Sequence, residues 1–303
     1  MAANVQRFIV SDCATVPAAC RICGGALGAA LLVHTVRDRF EVAVGVGEAG
    51  YNRAWRRCDA CGVVQNVQSQ ENENKLDSLA EAYYEVDLGN NIKEKFNRVM
   101  SLPPASSDNV GRVARIIRQL GGAGPSFGRP RHVLDIGAGL GVFLAEFLER
   151  VGDGWVGTAV EPDPNAAAHL RSLGRFNVVQ SVFTGTEMGI PVADLVTLNK
   201  VVEHVANPAA LLRVAGSILN PASGVLYVEV PDELTISRRP ATDNILGALH
   251  KHLYSPRSLS ALIERSGLQS LRVERVFEPS GKITVFAFAA ANSAIVPQDL
   301  HGR

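Results

Sequence analysis

Residues 131–148 read RHVLDIGAGLGVFLAEFL, and this stretch determines the architecture that the rest of the sequence must fit. A short apolar run ends at Asp135-Ile136, three glycines follow at alternate positions, and an apolar helical pattern begins at Val142. Glycine lets a backbone turn approach a ligand closely, and the N–H groups of a helix N-terminus point toward that ligand. The sequence therefore predicts a strand, a glycine turn and a helix that together form a ligand site.

The residues around the glycines indicate which ligand this turn binds. A dinucleotide site requires G-x-G-x-x-G, but Val142 occupies the third glycine position. Asp135 at the strand tip would repel a phosphate, yet its carboxylate could accept hydrogen bonds from an ammonium or a hydroxyl. A ligand with an amino-acid end, a sulfonium and a nucleoside but no phosphate fits better, which predicts S-adenosylmethionine. A nicotinamide-type dinucleotide domain and a glycine turn without a ligand are the alternatives.

A second strand supports the same site. The apolar run Trp155–Val160 ends at Glu161, 24 residues after Gly137, near the place where an acid at the second strand's tip receives a ribose diol. Farther along the chain, strand patterns alternate with helical patterns. This alternation predicts an α/β fold with a doubly wound, Rossmann-like parallel sheet.

These segments resemble the class I S-adenosylmethionine-dependent methyltransferases, from about Arg131 to Ala291. NKVVEHV (199–205) and GVLYVEVP (224–231) look like the segment after the fourth strand and the fifth strand of that superfamily, and 271–277 with 283–290 look like its terminal strand pair. The resemblance implies adenine contacts from Val182 and Phe183, and methionine contacts from Asn199 and Lys200. The implied cofactor-binding residues are Asp135, Gly137, Ala138, Gly139, Glu161, Pro162, Val182, Phe183, Asn199 and Lys200.

Four of the five cysteines form two identical C-x-x-C-G patterns. Each pattern is a knuckle that presents two thiolates to one ion, and the glycine after it permits a positive φ. Two knuckles predict a structural zinc site with four thiolates and no open coordination position. A redox dithiol is the alternative, and Cys13 is expected to be a free thiol. The predicted zinc ligands are Cys20, Cys23, Cys58 and Cys61.

Composition limits the classes of function. The chain has 303 residues, 47% of them hydrophobic, with zero formal net charge and a pI near 7.1, so no basic field recruits nucleic acid. No N-terminal signal pattern and no apolar run of 18 residues is visible, so we expect a cytoplasmic protein without a membrane partner. We expect a monomer or a homodimer.

The sequence divides into three predicted regions: a zinc module (1–70), a helical connector (71–130) and a methyltransferase domain (131–295). Within the module, 31–34 and 40–44 are expected to be strands, and 65–75 an exposed polar connector. Tyr83 and Tyr84 lie in a predicted helical stretch and could form a lid or pack in the interior. The helical spacing from Val110 to Leu120 predicts a helix that covers the sheet.

A second group of residues, HKHLYS (250–255), precedes a predicted helix with Ser255 as its N-cap and Gly267 after its end. Together with the two knuckles, the tyrosine-bearing stretch and Glu203-His204, it resembles the zinc-bearing nucleotide-sugar C-methyltransferases. Two departures weaken C-methylation of a keto sugar. Lys251 stands where those enzymes have glutamate, and their sizeable C-terminal domain has no counterpart before Arg303.

Proton removal from the acceptor requires a base, and histidine titrates near neutral pH. The candidates are His204, His252, His250 and Glu203, with His204 and His252 favoured. Alternatively, Glu203 and His204 cap a helix, and the other two histidines are ordinary loop residues. A metal role is disfavoured because no carboxylate stands at ligand spacing in the sequence. Lys251 is expected to face an acidic substrate group or water.

The expected activity is methyl transfer to oxygen or carbon of a small molecule, with a sugar or nucleotide-linked sugar as the leading acceptor. O- or N-methylation of a non-sugar natural-product intermediate is the alternative. A macromolecule-directed enzyme that uses the zinc module for recognition, and a non-catalytic scaffold, are two further hypotheses.

Overall fold

The computed structural model of the chain describes residues 19–81, 91–121 and 130–292. Cys13, Tyr83 and Tyr84 therefore lie outside the described residues, and their predicted roles stay predictions. Numbered along the chain, the strands are β1 (Leu27–His34), β2 (Arg53–Cys58), β3 (Val64–Val67), β4 (Arg131–Ile136), β5 (Trp155–Val160), β6 (Asn177–Val179), β7 (Leu195–Asn199), β8 (Val225–Pro231), β9 (His252–Leu253), β10 (Leu268–Phe277) and β11 (Ile283–Ala291).

A seven-stranded sheet confirms the predicted architecture. Its order is β10-β11-β8-β7-β4-β5-β6, so β4 is the middle strand of the five from β8 to β6, with the chain winding outward from it in both directions. The five strands from β8 to β6 in that order are parallel, and β11 is antiparallel to both of its neighbours, as the terminal pair predicted. The carboxyl ends of β4, β5 and β7 consequently lie at one edge, where open α/β sheets bind ligands.

Helices cover both faces of this sheet. The α-helices of the described residues are α1 (Arg39–Ala43), α2 (Gln70–Asp77), α3 (Ile92–Met100), α4 (Asp108–Gln119), α5 (Val142–Val151), α6 (Pro164–Leu173), α7 (Pro208–Ser217), α8 (Thr235–Arg238) and α9 (Pro256–Arg265), of which α1 and α2 pack together away from the sheet. Val113 and Ile116 of α4 pack with α5 on one face, which confirms the predicted covering helix, while α7 and α9 pack on the other. Ser255 caps α9 as predicted, with a capping box to Ser258.

A second sheet, of four antiparallel strands, has the order β1-β2-β3-β9. Three of its strands come from the N-terminal module, but β9 belongs to the predicted methyltransferase domain. Val64 pairs with Leu253 and Gln65 pairs with His252. Main-chain hydrogen bonds thus join the two regions that the sequence divides at about residue 70.

Two local predictions in the module are wrong. Residues 39–43 form α1 rather than a strand, because the Asp38 side chain accepts from the N–H groups of Phe40 and Glu41 while the Glu41 side chain accepts from the Asp38 N–H. Residues 64–67 form a fully buried strand rather than an exposed connector, because β3 lies between β2 and β9.

None of the helices within residues 19–81, 91–121 and 130–292 is both long enough and apolar enough to cross a lipid bilayer.

Candidate functional site

The glycine turn between β4 and α5 is held in a conformation that only glycine accommodates. Gly137 has a φ of 69°, and a Cβ atom there would lie 2.6 Å from Cγ2 of Val201. Gly141, the N-cap of α5, has a φ of 75°, and its Cβ atom would lie 2.5 Å from Cδ2 of Leu170. The turn therefore keeps its backbone next to the sheet edge, open to a ligand.

Glu161 stands directly after β5 and is tied to the glycine turn. Its Oε2 accepts a hydrogen bond from the Gly139 N–H at 2.8 Å, and its Oε1 accepts from the Asp163 N–H at 3.0 Å. Burial raises the pKa of this carboxyl, and the two N–H donors oppose that rise. A carboxylate has about four acceptor positions, so Glu161 is oriented by the backbone and still has capacity for a hydroxyl pair.

Asp135, a predicted cofactor-binding residue, does not line the cavity and is engaged by neighbouring side chains. Its Oδ1 accepts from Thr197 Oγ1 at 2.6 Å and from Asn199 Nδ2 at 3.0 Å, and the residue is 1% exposed. Burial raises its pKa to about 7. The reason is register: Asp135 pairs with Thr197 across β4 and β7, so neighbouring polar side chains take its hydrogen bonds.

A cavity of about 510 Å³ opens at the carboxyl edge of the sheet. Ten of the predicted site residues line it: Gly137, Glu161, Pro162, Val182, Phe183, Asn199, Lys200, Glu203, His204 and His250. Asp135, Ala138, Gly139 and His252 do not. Ala138 and Gly139 support the wall through their N–H groups, which donate to Val160 O and Glu161.

Lys200 follows β7 in an unusual backbone conformation. Its φ of 61° is left-handed, and it is the one non-glycine residue with positive φ in the described part of the chain. Such a conformation costs about 1–2 kcal/mol and is concentrated at functional sites. Its Nζ donates to Thr284 Oγ1 at 2.8 Å and lies 3.5 Å from Glu229 Oε1. Burial lowers the pKa of this amine.

Glu229 of β8 anchors an ion-pair network that sequence reasoning missed. Arg112 of α4 contacts both of its carboxylate oxygens, and Arg115 Nη1 lies 3.3 Å from Oε2. The Tyr227 hydroxyl donates to the same Oε2 at 2.6 Å. Burial alone would raise the pKa of Glu229, but Arg112 and Lys200 hold it well below its usual range. The network joins α4 to β8 next to Lys200.

Glu203 is the least satisfied buried acid of the site. It is 0% exposed, it lines the cavity, and neither carboxylate oxygen has a hydrogen-bond partner among the described residues. Burial raises its pKa to about 8, against the attraction of nearby Lys200. A buried polar group without a partner is costly, so Glu203 differs in this respect from Glu161 and Glu229, whose oxygens accept hydrogen bonds.

His204 and His250 lie beside Glu203, with ring centroids 4.5 Å apart. His204 Nδ1 lies 3.0 Å from the Leu249 carbonyl oxygen, so Nδ1 carries the proton and Nε2 has the free lone pair. Burial lowers the pKa of His204 to about 4 and that of His250 well below its usual range. One ligand atom from each of Glu203, His204 and His250 lies within 4.8 Å of the others, so a carboxylate does stand at ligand distance from two histidines, although the sequence spacing disfavoured this.

His252 is not at the cavity, which corrects its prediction as a favoured base. It is buried in β9 opposite Gln65, and neither of its ring nitrogens has a hydrogen-bond partner in the described structure. Burial lowers its pKa to about 3. His250 lines the cavity, whereas His252 is paired with β3 and does not. Lys251 lines the cavity, and its Nζ pairs with Asp77 Oδ1 at 2.7 Å rather than facing open water.

The four predicted zinc ligands come together as two pairs. Cys20 Sγ lies 3.7 Å from Cys61 Sγ, and Cys23 Sγ lies 3.4 Å from Cys58 Sγ, with all four atoms within 4.8 Å of one another. A tetrahedral ion with metal–sulfur bonds of about 2.3 Å requires sulfur separations of about 3.8 Å. The predicted positive φ is present at both knuckle glycines, Gly24 and Gly62. The donor set thus fits one tetrahedral metal ion.

Comparison with known proteins agrees with this geometry. Residues 108–273 match a family model described as a methyltransferase domain. The ubiquinone biosynthesis O-methyltransferase of Sodalis glossinidius (strain morsitans) is 30% identical over 141 residues, which are 45% of this chain and 52% of that protein. The chain therefore spans about half the length of the curated relative that it matches.

Two solved structures share the fold at low sequence identity. One is 1,6-didemethyltoxoflavin-N1-methyltransferase of Burkholderia thailandensis with bound 1,6-didemethyltoxoflavin and S-adenosylhomocysteine (19% identity, TM-score 0.52, 79% of this chain and 96% of that chain). The other is magnesium protoporphyrin IX methyltransferase of Synechocystis PCC 6803 with bound SAH (10% identity, TM-score 0.53, 71% of this chain and 100% of that chain).

Proposed function

We propose that this chain, which belongs to the methyltransferase domain family, transfers the methyl group of S-adenosylmethionine to a small-molecule acceptor. The observation that carries the proposal is a single cavity with two chemically different ends. Gly137 and Glu161 line it after β4 and β5, which we call the cofactor end, and Glu203, His204 and His250 line it on loops after β7 and before β9, which we call the acceptor end. A methyl transferase needs this arrangement, because a cofactor and an acceptor must meet in one enclosed space.

The cofactor end has a group for each part of the proposed ligand. Glu161 would accept from the ribose diol, and Val182 and Phe183 would border the adenine. Asn199 Oδ1, which is buried without a partner among the described residues, would accept from the amino group at the methionine end. Lys200 would pair with the carboxylate there. Asp135 acts indirectly, because its bond to Nδ2 turns the Asn199 amide so that Oδ1 is free.

The acceptor end has a base with a defined free lone pair. When bound, S-adenosylmethionine supplies a methyl group that leaves its sulfur as the acceptor atom bonds to it. His204 Nε2 would take the proton of the acceptor hydroxyl or α-carbon, since Nδ1 is held by the Leu249 carbonyl. Glu203, when ionised, would stabilise the resulting imidazolium, as a carboxylate does in other catalytic dyads. Base assistance of this kind typically accelerates the reaction by roughly a hundred- to ten-thousand-fold.

The four cysteines would hold a structural zinc. Their sulfur separations suit one tetrahedral ion, and four thiolates leave no position for a substrate. The ion's contribution is to fix the N-terminal knuckles against the main core, where Cys61 and Ile22 pack.

The leading acceptor is a sugar or a nucleotide-linked sugar, by resemblance to the zinc-bearing nucleotide-sugar methyltransferases. A second candidate, O-methylation of a largely apolar acceptor, is favoured by the composition of the cavity wall. Apolar side chains line it between the histidines and α2: Leu76, Leu79, Ile245, Ala248 and Leu249. The curated relative, a ubiquinone biosynthesis O-methyltransferase, is consistent with this second candidate.

The test is native mass spectrometry of the purified protein with S-adenosylmethionine, against a panel of nucleotide sugars and of phenolic acceptors. One metal ion, one cofactor and a mass gain of one methyl on a panel member would support the proposal and identify the acceptor class. Cofactor binding without methylation of either class would contradict the small-molecule proposal as stated and favour a macromolecular substrate. Absence of cofactor binding would contradict the cofactor assignment itself.

A further inference from the structure

The acceptor end of the cavity depends on one stretch of chain, residues 244–251, which we call the acceptor segment. It carries His250, and its Leu249 carbonyl fixes the tautomer of His204. It also contributes Ile245, Ala248 and Lys251 to the cavity wall. Apart from a short 3-10 turn at Asn244–Leu246, the segment has no regular structure of its own. Its position must therefore come from what it contacts.

Side chains of the N-terminal module hold the acceptor segment through its backbone. Arg53 Nη1 donates to the Leu246 carbonyl at 2.9 Å, and the Ala248 N–H donates to Asp38 Oδ2 at 2.7 Å. Each of these residues makes a single contact with the segment. The module thus packs on the main core through both knuckles and also reaches the acceptor end of the cavity.

Asn66 of β3 makes more of these contacts than either of them. Its Nδ2 donates to the His250 carbonyl at 2.9 Å and to the Gly247 carbonyl at 3.3 Å, and its own N–H donates to the Lys251 carbonyl at 2.9 Å. Its Oδ1 accepts from Arg53 Nη1 at 3.3 Å, and the residue is 2% exposed. The donor and acceptor groups of this amide are therefore all engaged, and its orientation is fixed.

We infer that Asn66 is a positioning residue for methyl transfer. From the four-stranded sheet, its hydrogen bonds to the acceptor segment fix the positions of His250 and His204. The inference rests on the proposed function, in which His204 takes the acceptor's proton. The neighbouring residue extends the connection to the metal site, because Gln65 Nε2 donates to Cys20 Sγ at 2.8 Å. Two adjacent residues of β3 thus contact a thiolate of the metal site and the backbone of the acceptor segment.

The expected effect follows from the geometry of proton transfer. A base must lie within hydrogen-bond reach of the acceptor, and a misplacement of about 1 Å can cost about a hundredfold in rate. Loss of the Asn66 amide would also leave the part-buried His250 carbonyl without its side-chain donor and the Gly247 carbonyl with only the His250 N–H, so the segment would shift to find new partners. The cofactor end is built from other elements and should not respond.

The experiment compares Asn66→Ala and the isosteric Asn66→Asp with matched changes at Asn109. Asn109 is also buried, also donates through Nδ2 to a backbone carbonyl (Val142 O, 2.9 Å), and also accepts from an arginine (Arg112 Nη1, 3.2 Å), but it lies in α4. Asn109→Ala and Asn109→Asp therefore report the effect of losing an equivalent buried amide elsewhere. All variants are studied as full-length, metal-loaded protein.

Five quantities are measured: kcat, the Kd for S-adenosylmethionine, the thermal unfolding midpoint, the metal content and the imidazole NMR signals of His204 and His250. We expect the Asn66 variants to lose about a hundredfold in kcat, to keep Kd within about twofold and to retain their metal. Their imidazole signals should move, whereas those of the Asn109 variants should not. Equal losses of kcat at equal thermal destabilisation, or unmoved imidazole signals, would overturn the inference. The NMR signals test positioning even if the wild type proves inactive, a result that would count against the proposed function alone.

Discussion

The two ends of the cavity are built in opposite ways. The cofactor end is made by one continuous stretch, in which β4, the glycine turn, α5 and β5 bring Gly137 and Glu161 together within 24 residues. The acceptor end combines Asn66, Glu203, His204 and the acceptor segment, which are far apart in sequence. A local motif determines its own geometry, whereas a composite site exists only after the whole chain has folded.

The two ends also differ in how their charged groups are satisfied. Glu161 accepts two backbone hydrogen bonds, and Asp135 is held by Thr197 and Asn199. Glu203 has no partner among the described residues, and both histidines beside it have strongly lowered pKa values. Perturbed, unpartnered groups are concentrated where chemistry occurs. Under the proposed function, this difference suits the cofactor end to binding and the acceptor end to reaction.

Loss of the metal should produce the largest difference between the effect on turnover and the effect on cofactor affinity. Cys58→Ser should lose the ion and disorder the module that holds the acceptor segment, because a structural zinc contributes on the order of 10 kcal/mol in small zinc modules. We expect turnover to fall by more than about a thousandfold, while calorimetry finds the Kd for S-adenosylmethionine within about threefold. Cys13→Ser is the control. Stoichiometric zinc retained in Cys58→Ser would contradict the four-thiolate site.

A change in the glycine turn should have the reverse pattern. Gly137→Ala places a methyl group against Val201 and imposes a left-handed conformation that costs about 1–2 kcal/mol. We expect cofactor affinity to fall by about 30-fold, by calorimetry, with unchanged metal content. Gly45→Ala has the same φ of 69° and nothing within 4 Å, so it isolates the effect of backbone strain. Equal losses in both variants would show that the turn does not contact the cofactor.

The pH dependence of turnover should reflect Glu203. Burial raises its pKa to about 8, and only the ionised carboxylate can stabilise a protonated His204. We therefore expect the rate to rise as pH increases through about 8, and Glu203→Gln to be about tenfold slower without that rise. Glu264→Gln, on the exposed side of α9, serves as control. A rise that persists in Glu203→Gln would assign the titration to another group.

The smallest effect on turnover is expected for a substitution of His252, in contrast to the two histidines that line the cavity. His252→Leu should keep turnover within about twofold, because the side chain is buried away from the cavity and its polar atoms have no partners to lose. The pKa of His252 is about 3 in the folded protein, below its unfolded value, so its contribution to stability is lost as pH falls below that unfolded value.

Denaturant unfolding at pH 7.5 and pH 5 checks this sign. As pH falls from 7.5 to 5, the free energy of unfolding of wild type should drop by about 2 kcal/mol more than that of the variant. The reason is that unfolded wild type binds a proton at His252, with a pKa of about 6.5, and the variant has no such site. A large loss of turnover in His252→Leu would restore His252 as a base and break the distinction between the two ends.

Sequence reasoning was most successful where residues act within their own segment. The alternation of strands and helices predicts the sheet, and the repeated C-x-x-C-G pattern brings together cysteines that do cluster. The same reasoning placed Asp135 at the ligand, because an acid at the strand tip before the glycine turn can accept hydrogen bonds from an ammonium or a hydroxyl. Only the register of β4 with β7 reveals Thr197 and Asn199 as its partners. His252 was misplaced for a similar reason, since pairing with β3 is invisible in the sequence around it.

Some errors had a signal that a closer inspection could have found. The pattern Asp38-Arg39-Phe40-Glu41 is a capping box, which indicates a helix where a strand was predicted. No such signal existed for Asn66 or for the Glu229 network, because their hydrogen bonds join residues more than a hundred positions apart. Such long-range polar contacts leave no periodicity in the sequence.

The strand β9 has a consequence for how the chain is made. β3 is covered on one side by β2 and on the other by two residues that follow it by about 190 positions. During synthesis the ribosome therefore releases the cysteine knuckles long before the partner of Val64 and Gln65 emerges. Until then β3 presents an unpaired edge, a feature that invites association with other chains. Pairing of β9 with β3 closes this edge and, through Asn66, completes the acceptor end. A nascent chain therefore becomes competent for catalysis in the same step that removes its exposed strand edge.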